Sequence, residues 1–415
     1  MKTQASDDLA AIAPGNAGRP GRRYLDKQEM ILTAAARLLA RGGSEDFALT
    51  VLARDLGLNP VSISYYYRRK EDLAAAVLGL TVRRFVDIIA VAEGAGTPQA
   101  RLARFVALYF EARAAALLEG QPPLVRFSEV RLVDGRSRQE LEIAIGGVHL
   151  RLTEMLKCPD MPWMTNERRQ TLARFVISFL NWCDPWLWLY APRDFARVAE
   201  RVSDLMTFGL ASGDADWEML QTRRSPPAAE EDTRERFLSA AIRVINLEGY
   251  RGASVDRLSA EVNLTKGSFY HHLATKDELL IACFGRSFRL ARSAIDAGEG
   301  DTGWERLSEI AVNLSALQLG ERGELLLRPT ALAAGPDDLR RARLVEYVQL
   351  VNGLADVVGE GVADGSVRAV DPGLGAHYVM MVIAVLGALR STPCAAQRDL
   401  REAFLRPALT GFFRP

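Results

Sequence analysis

Apolar residues recur along this chain with helical spacing, and two stretches do so in the same order. Phe237, Ala241, Val244 and Ile245 fall at i, i+4, i+7 and i+8, and Ile31, Ala35, Leu38 and Leu39 hold the same places 206 residues earlier. Each set makes one buried stripe on one helix. Gly249 and Gly43 follow, where a helix takes a left-handed C-cap. A second short pattern comes next, Val255, Leu258 and Val262 in one copy and Leu49, Leu52 and Leu56 in the other. Ser254 stands before it as an N-cap, with Ala48 in the first copy. Gly57-Leu58-Asn59-Pro60 and Asn263-Leu264-Thr265-Lys266 then read as three-residue turns opening a new helix, with Asn59 and Thr265 as N-caps and Pro60 as the first helical residue. The spacing predicts a helix-turn-helix in each copy, with recognition helices over 60–66 and 266–272.

The repeat is gapless. Glu29 to Leu73 aligns with Glu235 to Leu279, and 11 of the 45 positions are identical. Between and beyond the copies the helical style continues, in segments such as Leu102 to Leu118, Gly147 to Leu156 and Leu172 to Trp182. Gly94-Ala-Gly, Gln121-Pro-Pro and Cys158-Pro-Asp break them. Alternating strand runs are lacking, so the fold class is all-α. Ala173-Arg-Phe-Val176 is echoed by Ala376-His-Tyr-Val379 at an offset of 203, which extends the repeat to the companion regions. Pro226-Pro227 and a run of charges make Gly213 to Asp232 a linker. The expected order is a disordered basic arm (1–23), a first helix-turn-helix domain (24–73), a first helical ligand-binding-like domain (74–212), a linker (213–231), a second helix-turn-helix domain (232–280) and a second helical domain (281–415).

The second copy, Gly249-Tyr250 through Ser254-Val255 to Thr265-Lys266-Gly267-Ser268-Phe269-Tyr270-His271-His272-Leu273 and Lys276-Asp277-Glu278-Leu279-Leu280, resembles the DNA-binding signature of the TetR/AcrR bacterial transcriptional regulators. The first copy is similar but departs from it, with Ser64 where the family has Tyr, Tyr66 where it has His and Tyr67 where it has Phe. The resemblance implies two TetR-like protomers in tandem, each a three-helix reading head with a helical bundle for ligand binding and dimerisation. Carried over position by position, it assigns base-edge contacts to Val61, Ser62 and Tyr65 and to Lys266, Gly267, Ser268 and His271. Phosphate contacts fall to Lys70, Tyr270 and Lys276. The implied partner is double-stranded operator DNA, and the implied activity is ligand-responsive regulation, repression in the first instance. Members of this family dimerise through C-terminal helices, so the two halves are expected to pair within one chain as a pseudo-dimer, with a conventional homodimer as the alternative. The roughly 19 linker residues span about 60 Å when extended, enough for that path.

Charge refines this picture. Lys and Arg number 52, as do Asp and Glu, which argues against indiscriminate polyanion binding. Arg19 to Asp72 holds ten basic and seven acidic residues, net +3, whereas Asp232 to Leu280 holds seven of each; the first head should supply more phosphate attraction. Arg19-Pro-Gly-Arg-Arg23 reads either as a minor-groove arm or as a solvated tail. Residues 1–23 do not read as a signal peptide, and Val379 to Leu389 is too short to span a bilayer, so no membrane partner is expected. Cys158, Cys183, Cys283 and Cys394 show no paired spacing, the pattern of reduced thiols in a cytoplasmic protein; Cys183, beside aromatics, is the one redox-sensor candidate.

A sensing site is sought among Phe175, Phe179, Trp182, Trp186, Trp188 and Tyr190, where Asp184-Pro185 should end or kink a helix. Such rings suit a small apolar or aromatic effector, and equally a large core or a subunit seam. His377, Tyr378, Met380 and Met381 are the corresponding set in the second domain, where a structural role is favoured. No phosphate loop, His-Glu-x-x-His or nucleophile elbow occurs, and His149, His271, His272 and His377 form no ligand set. The chain is therefore not expected to be an enzyme or to carry a cofactor. The remaining rival is a protein-binding adaptor descended from a TetR-like repressor that has lost DNA binding in one unit.

Overall fold

The computed structural model describes residues 22–42, 47–213, 215, 217, 233–252, 257, 275–320, 325–327, 329–332, 337–390 and 399–414. Its architecture is all-α: no strand occurs among these residues, and Ala211 and Val367 form an isolated antiparallel bridge.

The first head is built from α1 (Arg22–Gly42), α2 (Leu49–Asp55) and α3 (Pro60–Tyr66). Ile31, Ala35 and Leu39 from α1, Leu52 from α2 and Ile63 from α3 are buried in a small core shared with Leu73, Val77 and Leu78 of the next helix. The start of α3 follows from its sequence: the Asn59 side chain accepts a hydrogen bond from Val61 N at 3.0 Å, and Pro60 occupies the first turn, where its missing N–H costs nothing. α1 begins at Arg22, so Arg22 and Arg23, read from sequence as the end of the basic arm, form the first turn of a helix. Residues 1–21 and Gly43 lie outside the described residues.

A bundle follows, with α4 (Lys70–Ala92), α5 (Pro98–Leu118), a 3-10 turn over Phe127–Leu132, α6 (Gly135–Met155), α7 (Asn166–Asn181), α8 (Asp184–Leu187) and α9 (Phe195–Phe208). Asp184-Pro185 does interrupt the helix, since α7 stops at Asn181 and Pro185 opens α8.

The second half comprises α10 (Thr233–Gly252), α11 (Lys276–Asp296), α12 (Gly303–Leu319), α13 (Pro329–Leu332), α14 (Asp337–Asp364) and α15 (Pro372–Arg390), then a π turn over Arg401–Leu405 and α16 (Arg406–Thr410). Two expectations need correction here. α10 does not stop at Gly249 but continues to Gly252; the Tyr250 hydroxyl donates to Asp277 Oδ1 at 2.7 Å, which ties that last turn to the start of α11 and offsets the roughly 1 kcal/mol cost of an internal glycine. Trp217, assigned to the linker, is buried: its ring meets Trp304 at 6.4 Å and its Nε1 donates to Glu402. An indole covers too much apolar area to be left in solvent when a core edge is within reach. Pro372–Leu389 is long and apolar enough to cross a bilayer, but 78% of it is buried within the protein.

One hydrophobic core runs through both halves. α7 packs on α15, where Phe175 and Tyr378 meet edge to face at 5.6 Å; these two residues occupy matching places in the echo of Ala173–Val176 by Ala376–Val379, at an offset of 203. Phe175 also stacks on Phe412, and Tyr378 OH donates to Ala408 O. Gly209 and Gly411 cap α9 and α16 with φ of 67° and 107°, and a Cβ on Gly209 would lie 2.3 Å from Leu409 O. Only glycine serves there. Ion pairs Arg201–Asp371 at 3.0 Å and Arg368–Asp204 at 2.8 Å close the edge of this contact.

Candidate nucleic-acid interface and effector site

α3 turns one face inward and leaves the other bare. Ile63 is fully buried, whereas Val61 and Tyr65 are each 74% exposed and Ser62 is exposed beside them. Burial of Ile63 fixes the rotation of the helix, so the three predicted base-edge residues of the first head share one open surface. Ser64 bonds back to Pro60 O at 3.2 Å. Sequence reasoning missed Tyr24, whose ring lies 6.1 Å from Tyr65 and 4.7 Å from Tyr66 and braces the end of α3; an aromatic in the first turn of α1 was the available signal. Lys70 is exposed at the first position of α4, next to exposed Arg68 and Arg69. Arg69 bonds Asp72 at 3.2 Å, and that contact raises its guanidinium pKa.

In the second head Lys266, Gly267, Ser268, Tyr270 and His271 lie outside the described residues. Lys276 is described: it follows the N-cap Thr275, whose hydroxyl accepts from Glu278 N, and its ammonium sits 4.4 Å over the Tyr250 ring. That contact holds a half-buried cation at the mouth of α11.

The aromatic set is not a single lining. Phe175, Phe179, Trp186, Tyr378 and Met381 are buried where α7 and α8 meet α15, Trp182 and Tyr190 are half-buried, and Trp188 is 60% exposed. The fully buried members pack as the seam between the halves: Phe179 meets Tyr378 at 5.8 Å and Trp186 stacks on His377 at 5.7 Å. Met380 is buried on the same helix. Burial lowers the His377 pKa to about 4, against a smaller opposing pull from Asp371. Cys183 is buried, donates to Leu180 O at 3.0 Å, and is pushed up to about 12 by desolvation. At that value it stays a thiol near neutrality, which argues against the sensor candidacy of this residue.

A cavity of about 590 Å³ opens elsewhere, between the C-terminal end of α1, the end of α5 and the loop after it, α8, and α13 and α14 of the second half. Arginines dominate its polar wall. No motif announces it, because Arg37, Arg113, Arg126 and Arg340 come together only through folding.

Residues 237–283, which include Lys276, match the profile of the bacterial regulatory proteins of the tetR family. That stretch of the chain is similar to the tetR-family regulatory proteins. The TetC protein of transposon Tn10 from Escherichia coli is 36% identical over 64 residues, which are 15% of this chain and 32% of TetC, so the chain spans about a third of that relative. An HTH-type transcriptional regulator of Saccharopolyspora erythraea is 27% identical over 191 residues, covering 44% of this chain and 75% of that protein. Among solved structures, AibR in complex with isovaleryl coenzyme A and operator DNA is 22% identical, with 44% of this chain and all (100%) of AibR covered at a TM-score of 0.37. The TetR-family regulator PfmR from Thermus thermophilus is 23% identical, with coverage of 42% and 95% at a TM-score of 0.35.

Proposed function

We propose that this chain is a cytoplasmic, ligand-responsive transcriptional regulator of the TetR family, a repressor in the first instance, which places two unlike reading heads on one operator. The observation that carries the reading is the divided face of α3: Ile63 is buried while Val61, Ser62 and Tyr65 stand open beside exposed Arg68, Arg69 and Lys70. Base-edge chemistry on one side and phosphate-binding cations at the next helix start is what a major-groove reader needs. In this reading Val61, Ser62 and Tyr65 meet base edges in one half-site and Lys266, Gly267, Ser268 and His271 in the other, while Lys70, Tyr270 and Lys276 hold phosphates.

The tandem organisation and the pseudo-dimer are part of the same proposal. Support comes from the gapless repeat, from Phe175 packing on Tyr378, its own counterpart at offset 203, and from the core shared by the halves. A self-facing contact of this kind is the mark of two-fold pairing. Ligand occupancy would bias the spacing of the heads and so the affinity for DNA.

A mobility-shift titration on the DNA upstream of the protein's own gene, repeated between 50 and 200 mM salt, tests the reading. A shift that weakens with salt and persists against bulk competitor DNA supports it. No shift under any salt condition favours the adaptor, a reading to which the departures of the first head at Ser64, Tyr66 and Tyr67 lend weight.

A further inference from the structure

Three tyrosine rings from two helices close on one another at the outer end of α3. Tyr24, in the first turn of α1, lies 4.7 Å from Tyr66 with the planes tilted by 37°, and 6.1 Å from Tyr65, edge to face at 76°. Tyr65 and Tyr66 meet edge to face at 5.3 Å and 86°. Each ring therefore pairs with both of the others. Their burial differs. Tyr66 is half-buried against the small core of the first head, Tyr24 is half-buried, and Tyr65 is 74% exposed.

An exposed tyrosine on a helix ordinarily exchanges rotamers, and a contact that depends on one of them must first remove that freedom. Here two neighbouring rings restrict Tyr65 and still leave most of its surface open. The support comes from outside α3: Ile31, Ala35 and Leu39 hold α1 in the core, so Tyr24 is carried on a fixed rod. Tyr65 follows Val61 by one helical turn, and the held ring and the exposed valine share one strip of the open face. In the major groove the apolar feature that marks one base among four is the C5 methyl of thymine.

The second copy of the repeat has different side chains at these places. At the offset of 206, Glu230, Gly267, His271 and His272 stand for Tyr24, Val61, Tyr65 and Tyr66. The ring cluster is thus no requirement of the helix-turn-helix pattern, and it belongs to the first head alone. We propose that Tyr24 is a positioning residue for base readout: it holds the Tyr65 ring against the C5 methyl of a thymine in the half-site of the first head, and so makes that half-site distinguish thymine from uracil. The inference rests on the regulator reading, because it needs α3 in a major groove.

The test uses the full chain and a duplex that it selects from random DNA, in which each thymine is replaced singly by deoxyuridine, so that only a methyl group is lost. Fluorescence anisotropy should show wild-type affinity falling about fourfold at one thymine or more, the effect of one methyl group taken out of water. Tyr65→Ala identifies the thymine in question by abolishing the difference there. Tyr24→Ala should abolish the difference at the same thymine, and Tyr24→Phe, which keeps the ring, should retain it. Tyr24→Leu keeps an apolar cover over Tyr66 and should hold the wild-type melting temperature while losing the discrimination, which separates loss of the ring from loss of the fold. A merely structural role for Tyr24 would lower affinity for the thymine and deoxyuridine duplexes alike and leave their ratio unchanged. That unchanged ratio in Tyr24→Leu, a ratio lost in Tyr24→Phe, or no thymine whose replacement Tyr65 senses would each overturn the positioning role while DNA binding itself stands. If no duplex is selected or bound, the regulator reading falls and this inference with it.

Discussion

Val61 and Ile63 are two positions apart on a helix of seven residues and meet opposite environments, one 74% exposed and the other fully buried. Their different burial separates two experiments. Ile63→Ala should cost about 2 to 5 kcal/mol of stability through lost burial and a cavity, while Val61→Ala or Tyr65→Ala should leave the melting curve unchanged and alter preference at individual base pairs of one half-site by about 1 to 3 kcal/mol each. Base preference that stays constant in both surface variants would remove α3 from the interface. Lys276 is proposed for the other class of contact, to phosphate. Lys276→Ala should weaken all DNA sequences alike and reduce the salt slope by about one, because a phosphate contact releases a counterion without reading a base; an unchanged slope would refute the phosphate assignment. His377 supplies a titration. Its pKa is lowered to about 4 in the fold from an ordinary value near 6.5, so between those values the unfolded chain binds the proton and the folded chain does not. Stability therefore rises with pH through that window, is fully present above about 6.5, and falls by up to about 1.4 kcal/mol per unit on acidification. Denaturation of His377→Gln between pH 4.5 and 7 should show a flatter profile than the wild type.

At the scale of elements, the parts dictated by neighbouring residues were legible from sequence. Asn59-Pro60 opens α3 at the expected place because its cap is a local hydrogen bond, and the stripes of α1 and α10 are buried, Leu38 only in part, because the 3.6-residue period sets which side chains share a face. What escaped was decided by distant partners. Gly249 reads as a stop until Tyr250 finds Asp277, and Trp217 reads as linker until Trp304 and Glu402 cover it. The aromatic set was visible in the sequence, but its division between seam and surface depends on how α7 meets α15. The arginine cavity had no local signal at all, since its walls come from α1, α5, α8 and α14. The same long-range logic marks the contact between α9 and α16. Gly209→Ala would bring a Cβ to 2.3 Å from Leu409 O at a φ of 67°, and it should destabilise the protein by at least about 2 kcal/mol, read by chemical denaturation. A variant as stable as the wild type would mean that the two helix ends do not meet.

For the whole molecule, the proposed reading makes the difference between the two heads govern the operator. The first head joins the rest of the protein through a separate small core, while Phe237, Ala241 and Ile245 of α10 belong to the large one. The recognition sequences differ as well: Pro60-Val-Ser-Ile-Ser-Tyr-Tyr66 and Lys266-Gly-Ser-Phe-Tyr-His-His272 share a serine and an apolar anchor but few outward side chains. A homodimer of identical heads must read a palindrome, and an intrachain pair of unlike heads need not. On the proposed reading, Val61 is to offer an apolar surface to a thymine methyl, and Lys266 and His271 are to donate to guanine acceptors. Light scattering should accordingly give the mass of one 45.7 kDa chain, and selection from random DNA should return an asymmetric site, its half facing the second head richer in G, with about 1 to 3 kcal/mol lost per mismatch there. A mass of two chains together with recovery of a perfect inverted repeat would instead mean that one head from each of two chains reads the operator, and that the contact between Phe175 and Tyr378 serves the core without setting the geometry on DNA.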